Sequence, residues 1–71
     1  MVEARFIGGP YSGHTRWLDA DVDTLQEYRV DCIKMPEMKR WKEVYQPRRV
    51  AGCVVENLDG SVDYDYVGRE L

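Results

Sequence analysis

The sequence predicts a small, mainly β domain, built as an antiparallel sheet or a partly open barrel with a β-hairpin at its C-terminal end. Three observations support this prediction. Apolar and polar residues alternate along several segments, turn-forming residues separate those segments, and an Asp-Gly pair lies between the last two. The 71 residues are enough for one hydrophobic core and too few for two, so residues 1–71 are expected to form a single domain.

The first strand is predicted over residues 2–7, where apolar and polar side chains alternate. It ends at the turn-forming segment Gly8-Gly9-Pro10-Tyr11-Ser12-Gly13, because glycine tolerates positive φ and proline fixes φ near about −65°. Residues 14–18 return as the second strand, with Trp17 as an expected core contact. The acidic residues 19–24 are expected to form a loop, with a short helical turn as the alternative.

The third strand is predicted over residues 26–35, where the alternation resumes. Successive side chains of a strand point to opposite sides of the sheet, so the strand has two distinct faces. One face carries Tyr28, Val30 and Cys32, and the other carries Arg29, Asp31 and Ile33.

Residues 36–46 fit two interpretations. Met38, Trp41 and Tyr45 have the spacing of one helix face, whereas Trp41, Glu43 and Tyr45 equally fit the alternation of a strand. The favoured interpretation is a loop followed by a short strand over residues 42–46. The alternative is an α+β fold with a short helix over residues 36–46.

The strongest local signal lies in residues 50–67, where two β-rich runs flank Asp59 and Gly60. An Asp-Gly pair favours a two-residue hairpin turn, so a C-terminal hairpin is expected. The last residues, 68–71, are expected to fray. With this turn, the pairs on the inward face would be Asn57 with Val62, Val55 with Tyr64, and Cys53 with Tyr66.

The residue inventory argues against several classes of protein. No apolar run reaches the ~18–20 residues of a membrane helix, and no signal peptide is recognisable, so we expect a cytoplasmic protein without membrane contact. Cys32 and Cys53 are expected to be free thiols on apolar strand faces. With one histidine, His14, and no obvious nucleophile beside a base, we expect no metal, no cofactor and no enzymatic activity.

Charge is distributed unevenly along the chain. The net charge is −3, yet residues 34–49 alone carry +4 and also contain two aromatic residues. Aromatic and arginine side chains are enriched in protein interfaces, which favours protein binding through this stretch. Binding of single-stranded nucleic acid by residues 34–49 and binding of a small ligand are the alternatives. The predicted partner-binding residues are Arg40, Trp41, Tyr45, Arg48 and Arg49.

The segment Phe6-Ile7-Gly8-Gly9-Pro10-Tyr11-Ser12-Gly13 and the ending Asp63-Tyr64-Asp65-Tyr66-Val67-Gly68 resemble small proteins encoded by actinobacterial phages. The pattern of those proteins is similar to aromatic-x-Gly-Gly-Pro-x-Asp-Gly near the start, followed by a strand with tyrosine and a Tyr-x-Tyr-x-Gly ending. Ser12 stands where Asp is common, and both residues favour turns.

The resemblance implies a shared scaffold and a phage setting, and it supplies no catalytic residue. We therefore expect a phage accessory protein that binds a host protein, a phage protein or its own copies in the cytoplasm of the bacterial host. A structural component of the virion is a further alternative.

Overall fold

A computed structural model describes all 71 residues and shows a chain built almost entirely of β-strands. The predicted mainly β fold class is confirmed. The alternative helix over residues 36–46 is wrong, because a nine-residue strand runs through most of that segment. In chain order the elements are β1 (Val2–Ile7), β2 (Thr15–Leu18), a 3-10 turn (Val22–Thr24), β3 (Tyr28–Lys34), β4 (Lys39–Pro47), β5 (Arg49–Val50), β6 (Cys53–Val54) and β7 (Val62–Glu70).

Five strands form one sheet in the order β2-β1-β7-β4-β3, while β5 and β6 pair only with each other. Strands β1 and β7 run parallel and all other neighbours are antiparallel, so the sheet is mixed. In a flat sheet β1 and β3 would lie roughly 14 Å apart, three strand spacings. The ring centroids of Phe6 on β1 and Tyr28 on β3 are only 5.5 Å apart. The sheet is therefore curled into a partly open barrel.

The last strand, β7, lies in the middle of the sheet between the β1–β2 and β3–β4 hairpins. It reaches further than expected, because Gly68 and Glu70 pair with Val44 and Lys42 of β4. The prediction that residues 68–71 fray is therefore wrong for 68–70. A β-bulge between the pairs Val44–Gly68 and Tyr45–Tyr66 shifts the register of the rest of the ladder.

The predicted C-terminal hairpin forms at its turn and not along its length. The chain reverses at Asp59 and Gly60, next to a single antiparallel bridge between Glu56 and Val62. The predicted register is wrong at this bridge, where Val62 pairs with Glu56 and not with Asn57. It is also wrong beyond the bridge, because β7 pairs with β1 and β4, and β6 folds back onto β5. In the main sheet, Val62 lies opposite Ala4 and Tyr64 lies opposite Phe6, both on β1. Tyr66 lies opposite Tyr45 on β4.

Two residues expected on buried faces lie outside the core. Trp17 is 64 % exposed, because β2 is a short edge strand with little of the chain packed against it. Cys53 is exposed because β6 lies outside the main sheet. Both cysteines are free thiols, as predicted. The acidic segment before β3 contains the 3-10 turn Val22–Thr24, the alternative to the expected loop.

The core fills the inside of the curled sheet. Phe6 lies at its centre, with the ring centroid of Tyr45 at 4.7 Å and that of Tyr64 at 6.2 Å. The segment before β3 closes the open side of the barrel, where the Tyr64 hydroxyl donates to the carbonyl of Gln26 at 3.0 Å. The core residues are Val2, Ala4, Phe6, Leu25, Tyr45, Val62 and Tyr64.

Candidate interaction surface

The partner-binding residues predicted from the sequence do not share one surface. Arg40 is exposed and Trp41 is half buried on the part of β4 that extends beyond β7. Tyr45 lies further along β4, inside the core. Arg48 and Arg49 follow at the other end of β4. The structure therefore brings together only Arg40 and Trp41.

Tyr45 is a structural residue, because none of its surface is exposed. Its hydroxyl donates to the carbonyl of Gly8 at 2.8 Å and accepts from the backbone N–H of Tyr11 at 3.0 Å. These two hydrogen bonds attach the turn after β1 to the sheet. The alternation of β4 correctly placed Tyr45 on the face of Trp41, but that face points into the barrel, so Tyr45 is unavailable to a partner.

Arg48 and Arg49 are engaged within the fold. Arg48 donates to both carboxylate oxygens of Asp65, at 3.0 and 2.7 Å, and to Asp63 at 3.4 Å. The hydrogen bonds from Arg48 lower the pKa of Asp65 below its usual value. Arg49 donates to the carbonyl of Leu25 at 2.9 Å and so fixes the segment before β3. Both arginines therefore contribute to the structure before any partner arrives.

The β3–β4 hairpin extends beyond the other strands. The last pair between β4 and β7 joins Lys42 to Glu70, so β3 is the only neighbouring strand of β4 from residue 41 to the turn. We call residues 32–41 the arm. The molecule as a whole is elongated, at 43 × 22 × 19 Å. Near its tip the arm is therefore a two-stranded extension of the main sheet.

Three apolar side chains near the tip of the arm are exposed to solvent. Ile33 is 48 % exposed, Met35 is 65 % exposed and Met38 is 52 % exposed. Single exposed apolar residues are common on protein surfaces, whereas several close together indicate an interaction site. The tip therefore exposes three apolar side chains that no other part of the chain covers.

Charge is separated along the molecule. The arm carries three cations without an ion pair, Lys34, Lys39 and Arg40, against the single carboxylate Glu37. Most other cations are paired, and the remaining free carboxylates lie elsewhere in the chain. Such a concentration of one sign attracts a partner of the opposite sign. The free carboxylates outside the arm are Asp19, Asp21, Asp23 and Glu56.

A buried carboxylate lies where the arm joins the sheet. Glu43 is 1 % exposed and accepts hydrogen bonds from the Tyr66 hydroxyl at 2.8 Å, the Trp41 indole N–H at 2.9 Å and the Arg69 guanidinium at 3.0 Å. Burial raises the pKa of Glu43, but the hydrogen bonds and the charge of Arg69 outweigh it, so the pKa lies below its usual value. The guanidinium of Arg69 also lies 4.9 Å from the centre of the Trp41 ring.

This cluster was not predicted from the sequence. The alternation of β4 does place Trp41 and Glu43 on one face, which is the signal that could have identified half of it. Arg69 could not be placed, because its position depends on the pairing of β7 with β4. The cluster fixes Trp41 and supports the base of the arm, because Glu43 on β4 accepts hydrogen bonds from Trp41 and from two residues of β7, Tyr66 and Arg69.

The turn over residues 8–13 packs against the same region. The hydroxyl of Tyr11 lies 3.3 Å from the sulfur of Cys32 at the start of the arm. Ser12 accepts a hydrogen bond from the backbone N–H of Gly8 at 3.0 Å, which closes the turn. The turn and the Glu43 cluster together hold the arm in a defined orientation.

An open groove of ≈ 600 Å³ lies beside the arm, between β3, β4 and the end of β7. Its lining includes Ile33, Arg40, Trp41 and Leu71. The lining also includes Lys42 and the two carboxylates Asp31 and Glu70, so it mixes apolar side chains with charges of both signs. The groove extends the exposed surface of the arm towards the body of the sheet.

No cluster of three or more His, Cys, Asp or Glu side chains is arranged to hold a metal ion. None of the helical segments has the length and apolar character needed to cross a membrane. Comparison with protein-family models, with curated proteins and with solved structures finds no match. The function is therefore inferred from the surface of this chain.

Proposed function

We propose that this protein is a protein-binding module whose arm, residues 32–41, binds an acidic and partly apolar segment of another protein. The phage setting implied by the sequence resemblance is part of this proposal, with a host or phage protein as the partner. The observation that carries it is the exposed apolar tip, formed by Ile33, Met35 and Met38, beside cations that have no ion pair.

Each kind of side chain on the arm has a role in this proposal. Burial of the exposed apolar side chains by a partner supplies affinity, at roughly 25 cal/mol per Å² of apolar surface removed from water. Lys39 and Arg40 speed the encounter with a negatively charged surface and disfavour basic partners. The groove beside Arg40 offers space for a partner side chain next to the arm. The Glu43 cluster fixes the base of the arm to the rest of the sheet, so binding costs little conformational entropy.

Nucleic acid is less well supported as the partner. Stacking of bases requires aromatic rings with a free face, and the stretch 34–49 contains Trp41 and Tyr45. Tyr45 is buried, and Trp41 is half buried with Arg69 over its ring. The basic residues of the arm then remain without a stacking platform.

Affinity capture from a lysate of the phage-infected bacterial host, followed by titration of the purified partner, tests the proposal. The test variant is Met38→Asp with Arg40→Glu, which removes an apolar contact and reverses a free charge. Met38 has a φ of 56°, a conformation that Asp tolerates well, so the substitution does not strain the turn. The matched control is Leu58→Asp with Arg16→Glu, since Leu58 is fully exposed and Arg16 has no ion pair.

We expect the test variant to bind at least tenfold more weakly, a loss of about 1.4 kcal/mol or more, while the control keeps its affinity. Equal binding by the two variants would refute the proposal. So would a capture experiment that recovers no protein other than those that also bind the empty resin. Binding of single-stranded DNA or RNA that weakens steeply with salt would assign the arm to nucleic acid instead.

A further inference from the structure

One edge of the main sheet is long, regular and uncovered. β3 is the last strand in the sheet order, and its seven residues pair with β4 in one continuous register without a bulge. It contains no proline. The other edge, β2, has only four residues. A strand edge like β3 presents unpaired N–H and C=O groups, which favours pairing with another strand.

No other part of the chain satisfies the outer edge of β3. None of the backbone hydrogen bonds outside the regular elements involves residues 28–34. The only side-chain hydrogen bond to its backbone is a weak one, from the Cys32 thiol to the Val30 carbonyl at 3.6 Å. Its side chains are also accessible, since Arg29 is 42 % exposed and Asp31 is 87 % exposed.

We propose that two copies of this chain associate through their β3 edges, antiparallel and centred on Val30, so that the two curled sheets become one continuous sheet. In a symmetric antiparallel pair each residue lies opposite the residue equally far from the centre, and opposing side chains point to the same face. The charges on β3 determine which residue lies at that centre.

Three centres can be compared by their outward-facing charges. A centre at Arg29 places two guanidinium groups opposite each other, and a centre at Asp31 does the same with two carboxylates; both arrangements repel. A centre at Val30 places Arg29 of each copy opposite Asp31 of the other, which creates two attractive pairs. Of the three, only the register centred on Val30 brings opposite charges together across the two β3 edges.

The inward face supports the same register. With Val30 at the centre, Tyr28 of each copy lies opposite Cys32 of the other, and the two Val30 side chains meet. All three residues are half buried in the single chain, so pairing covers their remaining apolar surface. Lys34, which has no ion pair, then lies opposite the segment that contains Glu27 of the second copy.

This inference does not rest on the proposed function. Met38 and Arg40 belong to the turn and to β4, which lies on the side of β3 away from the second copy. A dimer of this kind leaves both residues exposed. The two proposals can therefore fail independently, since variants of the arm test one and variants of β3 test the other.

Charge exchange across the β3 pair provides the experiment, with sedimentation equilibrium as the measurement. In the dimer, Arg29→Asp places a carboxylate opposite Asp31 of the other copy at both symmetry-related positions. Asp31→Arg likewise places a guanidinium group opposite Arg29 at both positions. The double variant R29D/D31R restores opposite charges. Arg29 also contacts Glu27 and Glu70 in its own chain, but those contacts are lost in the Arg29→Asp single variant and the double variant alike.

We expect a concentration-dependent dimer for the natural sequence, at least tenfold weaker dimerisation for each single variant, and recovery in R29D/D31R. Arg16→Asp on the other edge, a reversal of a residue without an ion pair, is the control and should dimerise as the natural sequence does. Circular dichroism confirms that each variant keeps its sheet. A natural chain that stays monomeric at about 1 mM, or single variants that dimerise unchanged, or a double variant that does not recover, would overturn the proposal.

Discussion

The α-carbon of Gly9 lies directly against the ring of Tyr66. A β-carbon at Gly9 would be 2.5 Å from two atoms of that ring and 2.8 Å from the hydroxyl oxygen of Tyr45, distances that no stable packing allows. The backbone of Gly9 also has a φ of 65°, which side-chain-bearing residues rarely adopt. Two separate constraints, one of space and one of conformation, therefore require glycine at this position.

These two constraints can be separated by comparing Gly9→Ala with Gly13→Ala. Gly13 has a φ of 88°, and no atom lies within 4 Å of the place that an added β-carbon would occupy, so alanine there costs only the backbone strain, about 1–2 kcal/mol. Gly9→Ala incurs that cost and a clash of about 1–3 kcal/mol in addition. Urea denaturation measures both. Equal losses for the two variants would show that the contact with Tyr66 is not limiting.

The hydroxyl of Tyr45 is predicted to be the main attachment of the first turn to the sheet. Tyr45→Phe removes the donor to Gly8 and leaves the backbone N–H of Tyr11 without its acceptor, so we expect a loss of about 1–3 kcal/mol. Tyr28→Phe is the matched control, because Tyr28 lies on the same face and its hydroxyl makes no hydrogen bond. A control that is as unstable as Tyr45→Phe would contradict this role.

Ionised Glu43 is predicted to make the fold less stable in acid. Its pKa in the folded chain lies below the usual 4.5, so its contribution is fully present above that pH and is lost as the pH falls through the folded pKa. Asp59 and Asp65 have lowered pKa values too and act in the same direction. Comparison with Glu43→Gln isolates the contribution of Glu43.

We expect Glu43→Gln to be less stable than the natural chain at pH 7, with a difference that shrinks as the pH falls below 4.5. Urea denaturation at a series of pH values measures this difference. Glu37→Gln, an exposed residue without an ion pair, should behave as the natural chain does at every pH. A constant difference for Glu43→Gln would indicate that the carboxylate charge has no role.

Trp17 and Phe6 provide a contrast between a large side chain on the surface and one in the core. Trp17→Ser should change the free energy of unfolding by no more than about 0.5 kcal/mol, because the indole is mostly exposed. Phe6→Ala should cost about 3–5 kcal/mol, since Phe6 is 2 % exposed at the centre of the core. Thermal and urea denaturation check both. A large loss for Trp17→Ser would place the indole in contact with the core.

Local patterns predicted the elements that depend on local interactions. The alternation over residues 2–7 gives the bounds of β1, and the two faces of β3 are those that its alternation predicts. The turns at residues 8–13 and at Asp59 also lie where glycine, proline and aspartate indicate them. In each case a few neighbouring residues determine the conformation of the backbone.

Partners distant in sequence could not be predicted in the same way. Tyr64 and Tyr66 were correctly placed on an inward face, but their neighbours come from β1 and β4 and not from the adjacent β6. The same limitation applies to the interaction surface, because alternation could not show that the face shared by Trp41 and Tyr45 points into the barrel. Which face is buried depends on the pairing between strands that are distant in sequence. The pattern of neighbouring residues does not show that pairing.

The central place of β7 determines the order in which this chain can fold. The β1–β2 and β3–β4 hairpins have local contacts and can form early, but their strands are joined by backbone pairing only through β7, Val62–Glu70. Closure of such distant pairs is entropically costly, so we expect insertion of this strand to be a slow step of folding. During synthesis, the five-stranded sheet cannot assemble until residues 62–70 are available, because β7 lies between β1 and β4.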